Sequence, residues 1–482
     1  MSQARSKFSR DKYDAVVVGS GPNGLAAAIV MLQKGYSVVV VEGQSTAGGG
    51  CRSAELTLPG FVHDVCSSVH PLGFGSPFFR TLPLAEHGLE WIEPAAPFAH
   101  PFDGGKAVIV HHSVEETAEQ MGIDASHYRR FINNLLPPDW DVLCKVLREP
   151  LSMATHPINL ARFGLCAIQS TNGLARTLFG APQARGTLAG VAAHSSLSLD
   201  HIGSAAIGVV LTVTAHAIGW PLPRGGAQRL TDALISYMVS LGGELVLSTP
   251  IQSLNDLPQR RYLFFDLTPR QILEIVGEKL PGGYKKQMSA FKYGPGSFKL
   301  DWALDGPIPW ENPDCCQAGT VHVCGTIEEI AESERGNWLG RISERPYVLL
   351  VQSSLWDQTR APAGKHTAWA YCHVPNGSDV DMTERIENQI ERFAPGFKKL
   401  ILAKCVTNTA SMHAKNANYI GGDINGGALS IGQLFTRPVL RAVPYAIPSE
   451  GMYICSSSTP PGGGVHGMSG YYAAHCALRG WK

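Results

Sequence analysis

Apolar positions along this chain fall into runs of two lengths. Ala15 to Val18 and Ser37 to Val41 are short, continuous and β-branched, the pattern of strands buried on both faces of a parallel sheet. Between them, Leu25 to Leu32 is a run of strong helix formers that stops at Gly35, so the opening segment predicts strand, helix, strand. Leu58 to Asp64 reads as a turn into a short strand, Thr81 to Pro101 is irregular, and Lys106 to His112 predicts a strand. Amphipathic helices are expected over Val114 to Met121, Ser126 to Leu135 and Trp140 to Leu147, with Ser113 and Asp124 as caps. Leu151 to Val191 and His201 to Trp220 are longer, mostly apolar helical stretches, suited to lining a greasy cavity, to touching a bilayer surface or to plain core packing.

Past the boundary Pro221 to Gly226, Gln228 to Leu241 predicts an amphipathic helix closed by Gly242-Gly243. Glu244 to Ser248 and Arg261 to Phe265 read as strands, and Asp266-Leu267-Thr268-Pro269 as a capped helix start. Ser297 to Leu304 alternates apolar and polar residues, the pattern of a half-buried antiparallel strand. Tyr347 to Gln352 and His366 to His373 extend that sheet, with a helix over Val380 to Phe393. Gly451 to Cys455 predicts a last strand, followed by a small-residue loop and a helix over Gly467 to Leu478.

Glycines punctuate the first βαβ segment in a chemically specific way. Gly19-Ser20-Gly21-Pro22-Asn23-Gly24 places G-x-G-x-x-G between strand and helix. That spacing allows a tight turn, close approach of a pyrophosphate and packing of helix on strand, with the helix N-terminus facing the phosphates. Glu42 ends the second strand, 23 residues after Gly19, where an acid accepts hydrogen bonds from a ribose 2′-hydroxyl. These features alone admit a nicotinamide dinucleotide. Gly48-Gly49-Gly50-Cys51-Arg52 follows within ten residues of the acid and favours FAD: Gly49 and Gly50 let the backbone pass close to the cofactor, and Arg52 carries a guanidinium fork suited to phosphate.

Bulk properties narrow the classes. At 482 residues the chain exceeds one growing core, so two domains are expected. Lys plus Arg equal Asp plus Glu at 40 each, which leaves no field to steer nucleic acid. Eleven scattered cysteines without C-x-x-C argue against a disulfide framework or a zinc site and fit reduced thiols in the cytoplasm. Met1 to Lys12 lacks an apolar segment of signal type, and Ala205 to Trp220 is too short and too interrupted by Thr212, Thr214 and His216 to span a bilayer. No H-E-x-x-H or G-x-S-x-G is present, so neither a metal site nor a hydrolase is expected.

A second glycine constellation lies near the C-terminus. Gly462-Gly463-Gly464-Val465-His466-Gly467 directly precedes the last helix. Pointed at an isoalloxazine, that helix end would stabilise the negative charge that builds as flavin accepts hydride. Gly463, Gly464 and Val465 are cofactor-binding candidates. His466 is a candidate donor, acid or base beside the ring, or a packing residue. His70 is the second catalytic candidate, and His63 a weaker one that packs with Asp64 in the alternative reading. No separate nicotinamide domain is visible, so reoxidation calls for an acceptor such as oxygen or a quinone.

The segments GSGPNGL…VVEGQSTAGGGCRS, RGGAQRLTDAL, DLTPRQ and CSSSTPPGGGVHGMSGYYAAHCAL together resemble the phytoene desaturase and carotenoid isomerase branch of FAD-dependent oxidoreductases, amine-oxidase-like flavoproteins. The likeness is greatest to bacterial members related to a pyridine nucleotide-disulfide oxidoreductase domain-containing protein, and covers the chain from about Tyr13. It implies an α/β class: a Rossmann-like FAD-binding domain (1–80, 222–290 and 438–482) and a discontinuous α+β substrate domain with a helical cover (81–221 and 291–437). By motif match it carries cofactor roles to Gly19, Gly21, Gly24, Glu42, Gly49, Gly50, Arg52, Gly463 and Gly464. Ser456 departs from the glycine common in related sequences, and no residue matches a settled catalytic acid. The function expected is hydride transfer to FAD from an apolar, polyene or isoprenoid, small molecule. A redox-neutral flavin-dependent isomerase and a flavin-containing scaffold are the alternatives, and peripheral membrane contact and homo-oligomerisation are left open.

Overall fold

The computed structural model describes residues 7–136 and 157–481; the helix expected over Trp140 to Leu147 lies outside them. Five parallel strands form the first sheet, in the order Met452–Ile454, Gln259–Phe265, Lys12–Val18, Val38–Val41, Glu244–Val246. Register puts Val18 beside both Phe265 and Val41, and Phe265 beside Ile454, so the carboxyl ends of these strands are level. Alternate residues serve opposite cores, which explains the unbroken apolar runs. Val17, Val40 and Phe264 face helices Pro22–Gln33, Gln228–Ser240 and Met468–Leu478, while Val16, Val39 and Phe265 face Ile272, Val276 and Met288.

The second sheet runs Ile401–Thr407, Gly296–Leu304, His366–Val374, Val348–Val351, Ala318–Val323, Ala96–Phe102, Lys106–Val110. All its pairs are antiparallel except Ala318–Val323 with Ala96–Phe102. One face packs on helices that include Pro182–Ala192 and Ala205–Ile218, and the other on Thr383–Phe393. Among the described residues no helix is long and apolar enough to cross a membrane, and every cysteine is a free thiol.

Several expectations are corrected. The stretch read as irregular contains the buried strand Ala96–Phe102; Pro97 and Pro101 within it masked the pattern, because proline argues against a central strand. The described part of Leu151 to Val191 is three helices, broken at the Ser170 cap and before Pro182. Asp124 does not cap its own helix; its oxygens accept the N–H groups of Gly180 (2.8 Å) and Ala181 (2.6 Å) at the start of the helix Pro182–Ala192. Ser113 does cap, accepting from Glu116 at 3.3 Å.

Gly296–Leu304 differs most from its reading, for both of its faces are buried. Its polar positions Lys299 and Asp301 pair with each other inside the protein. Nearby, Asp64 and Arg360 form an ion pair at 2.9 Å, each side chain 1% exposed. Asp64 also accepts from the Ser53 hydroxyl (2.7 Å), the Ala227 N–H (2.8 Å) and Ser68. This network ties the strand Val62–Asp64 to the loop carrying Arg360, whose Nε donates to the Val62 carbonyl at 3.0 Å. Charges so far from water hold only when paired and hydrogen-bonded.

Two predictions follow from this packing. A Cβ on Gly470 would overlap the carbonyl oxygen of Asn23 where helices Pro22–Gln33 and Met468–Leu478 touch. Gly470→Ala is expected to cost about 1–3 kcal/mol in urea unfolding; an unchanged midpoint would contradict that helix contact. For Asp64, burial pushes the carboxyl up, but Arg360 and three hydrogen bonds outweigh it and leave the pKa below its ordinary value. A carboxyl depressed in the folded state contributes stability above its unfolded pKa of about 4, lost as the pH falls through the folded value. Arg360→Met removes the counter-ion, so it should cost about 3–5 kcal/mol at neutral pH. That deficit should shrink on acidification, as Asp64 takes up a proton. A deficit equal at pH 7 and pH 3 would show that Arg360 does not neutralise Asp64.

Candidate functional site

Gly19 to Gly24 turns the chain from the end of its first strand into helix Pro22–Gln33, and it does so against Asp266. Gly19 adopts φ +101°, and a Cβ there would approach the Asp266 backbone oxygen to 3.0 Å. A Cβ on Gly21 would overlap Asp266 Oδ2, and one on Gly24 the Gly19 carbonyl. The glycines are therefore imposed by close packing of turn on neighbouring strand end. Asp266 does not cap the helix Pro269–Val276 as expected; its Oδ2 accepts the Gly24 N–H at 3.1 Å. Burial raises its pKa to about 7, Glu42 adding to the rise and the Gly24 and Gly21 amides opposing it. Asp266 is the chemically important residue that motif reading misassigned, because D-x-T-P is also an ordinary helix start.

Glu42 stands at the end of its strand and orders this corner. Its Oε2 accepts from the Ser20 N–H (3.0 Å) and hydroxyl (2.6 Å), and its Oε1 from the Gln44 N–H (2.9 Å). The Gly48–Gly50 run folds back onto the turn, so that a Cβ on Gly49 would lie 3.2 Å from the Gly21 Cα. Arg52 spends its guanidinium on the protein: Nε on the Gly49 carbonyl (2.8 Å), one terminal nitrogen on Thr46 (3.1 Å) and the other on the Lys415 carbonyl (2.8 Å). It holds the glycine run in place.

A cavity of about 320 Å³ opens beside these loops. Gly21, Pro22, Asn23, Gly49 and Gly50 line one part of it, and Gly463, Gly464 and Val465 another. Those two regions are more than 400 residues apart in sequence. His70 also lines it, as do Asp266, His194, Asn425 and the apolar side chains Ile207, Val210, Leu211, Leu349 and Val351. Gly19, Gly24, Glu42, Arg52 and His466 stand behind the wall.

The histidines separate by environment. His466 is wholly buried, and its Nδ1 accepts the Met468 N–H at 3.0 Å, capping the last helix. Burial lowers its pKa to about 4 against the opposing Gly462 and Gly463 backbone, so the ring is neutral at pH 7 with its proton on Nε2. His70 contacts the Ser67 hydroxyl through Nε2 (3.0 Å), keeps Nδ1 without a hydrogen-bond partner, and is likewise lowered to about 4 by burial. His63 hydrogen-bonds Thr57 (2.8 Å), with Asp301 at 3.7 Å; its pKa falls to about 3 through burial, then through Lys299 and Arg360. It sits in the ionic network, away from the cavity wall.

Comparison with known proteins agrees with this geometry. Residues 17–82 match the NAD(P)-binding Rossmann-like domain family. The rat pyridine nucleotide-disulfide oxidoreductase domain-containing protein 2 is 25% identical, covering 98% of this chain and 94% of the relative. A neurosporene-forming phytoene desaturase from Rhodobacter capsulatus is 23% identical over 96% of this chain and 93% of its own. Among solved structures, putrescine oxidase bound to putrescine superposes with a TM-score of 0.61 at 16% identity, covering 98% of both chains. The chain thus has an N-terminal Rossmann-like domain within an amine-oxidase-like fold, and over nearly its whole length it is homologous to pyridine nucleotide-disulfide oxidoreductase domain-containing protein 2 and to phytoene desaturase.

Proposed function

We propose that this protein is an FAD-dependent oxidoreductase that takes hydride from an apolar, isoprenoid-like substrate. The observation that carries the proposal is the continuity of one cavity from the Gly21–Asn23 turn, past Gly49–Gly50, to Gly463–Val465. A dinucleotide long enough to need both glycine loops fits that run better than a nicotinamide cofactor held at the first loop alone. Glu42 Oε1, which accepts only the Gln44 N–H, keeps a lone pair for a ribose hydroxyl. When bound, the flavin supplies the hydride acceptor.

The chain's own residues would orient the reactants and exclude water. Ile207, Val210, Leu211, Leu349 and Val351 give the cavity that the glycine loops line an apolar part, suited to a hydrocarbon skeleton. Dehydrogenation releases a proton along with the hydride, and His70, neutral and with Nδ1 open, is the imidazole on the cofactor side of the cavity that can accept it. His466 shapes the loop through its cap on the last helix.

Anaerobic mixing of the FAD-loaded protein with isoprenoid alcohols and polyenes tests the reaction: bleaching of the visible flavin band with a product two hydrogens lighter is expected. Persistent colour with every apolar donor would reject it, and a product of unchanged mass would assign a redox-neutral isomerisation instead. Asp266 supplies a separate test of the cofactor. A pyrophosphate and an ionised Asp266 would crowd the same amides, so FAD should bind with Asp266 protonated. Its dissociation constant should then rise as the pH passes above about 7, by up to about tenfold per pH unit. Asp266→Asn, permanently neutral, should give a flat profile; parallel profiles by flavin fluorescence would contradict the coupling.

A further inference from the structure

We propose that Asn425 recognises a hydroxyl on the substrate, and that a buried chain through Ser196, His373 and Glu334 holds its amide in the orientation this requires. The proposal deepens the reading of the cavity as a substrate site and rests on it. Four elements converge to build the chain. Glu334 comes from helix Ile327–Trp338, His373 from strand His366–Val374, Ser196 from the turn after helix Pro182–Ala192, and Asn425 from the loop after Ile420–Gly422.

Hydrogen-bond chemistry fixes a direction along it. The Glu334 carboxylate can only accept, so His373 Nδ1 donates to Oε2 at 2.8 Å. With the ring proton on Nδ1, Nε2 is the acceptor, and the Ser196 hydroxyl donates to it at 3.0 Å. The serine oxygen in turn accepts the Asn425 amide N–H at 3.1 Å. With one N–H of its NH₂ committed to Ser196, the Asn425 side chain has its carbonyl oxygen and a second N–H left to offer. That oxygen stands beside the cofactor-side loop, since a Cβ on Gly463 would come within 3.3 Å of it.

Structural need alone does not account for this arrangement. The Glu334 and His373 side chains are wholly buried, where an apolar pair of similar volume would serve packing as well. Glu334 Oε1 has no hydrogen-bond partner. Ser196 is held at φ 56°, a left-handed conformation that a non-glycine residue adopts only when its surroundings enforce it; here the Trp338 indole donates to its carbonyl at 2.9 Å. The open end of the chain is Asn425, which lines the cavity together with the apolar side chains of Ile207, Leu211 and Val351. An acceptor in that position selects a mainly apolar molecule with one hydrogen-bond donor, for which an isoprenoid alcohol is the matching class. A hydrocarbon or a ketone of the same shape leaves the amide oxygen unsatisfied.

Binding of farnesol and of farnesyl methyl ether to the FAD-loaded protein tests this, read by quenching of the cavity tryptophans Trp220 and Trp369. Farnesol is expected to bind about tenfold more tightly, as loss of one hydrogen bond dictates. The ratio should fall to about one in Asn425→Leu and in Ser196→Ala, which frees the amide to turn. A purely structural role would weaken both ligands together and leave the ratio intact. Equal affinities in the wild type, no saturable quenching by farnesol, or a preserved ratio in both variants would overturn the proposal. A preserved ratio with FAD lost from Asn425→Leu would also overturn it, assigning the amide to the cofactor. Failure of the flavin reading shows separately, as protein that retains no FAD.

Discussion

Strands Lys12–Val18 and Gln259–Phe265 end level with one another, and at that level the turn Gly19–Gly24 closes onto Asp266. The site depends on this contact. It requires glycine at three positions because a carboxylate and two backbone oxygens occupy the space side chains would need. It also seats the start of helix Pro22–Gln33 at the sheet's carboxyl edge, where open α/β sheets bind ligands. The last helix is locked to the first at Gly470 and Asn23, so the C-terminal glycine loop reaches the same cavity.

The second sheet supplies part of the cavity wall, through Leu349, Val351, Trp369 and Tyr371, and a different kind of chemistry. Its strands carry buried polar groups, Lys299 paired with Asp301 and His373 hydrogen-bonded to Glu334 of the helix Ile327–Trp338, where apolar side chains would fold as well. The Asp64–Arg360 pair binds the strand Val62–Asp64 to the loop carrying Arg360. Burial keeps His63, His70 and His466 neutral at physiological pH, so hydrogen-bond geometry, more than charge, differentiates their roles.

Legibility of these features in the sequence followed their locality. The βαβ unit, its glycines and Glu42 were readable because strand, turn, helix and acid are contiguous and each has its own periodicity. The strand Ala96–Phe102 was not, since its two prolines contradict the local rule and only its partners Ala318–Val323 and Lys106–Val110 stabilise it. Gly296–Leu304 alternates like a half-solvated strand, yet its polar side chains find partners elsewhere in the chain. The same holds in the site. Arg52 has the composition of a phosphate ligand, but its hydrogen bonds are taken by carbonyls and a hydroxyl. His466 stands just before the last helix, and there its Nδ1 accepts the Met468 N–H. Asp266 and the Asn425 chain unite residues 39 to 242 positions apart, which no window along the sequence brings together.

The central claim is that one elongated flavin dinucleotide joins the two glycine loops. Its most direct test is the identity and amount of nucleotide released when protein purified without added cofactor is heat-denatured. The account predicts FAD, at about one equivalent per chain; a nicotinamide dinucleotide, or apoprotein unable to take up added FAD, would contradict it.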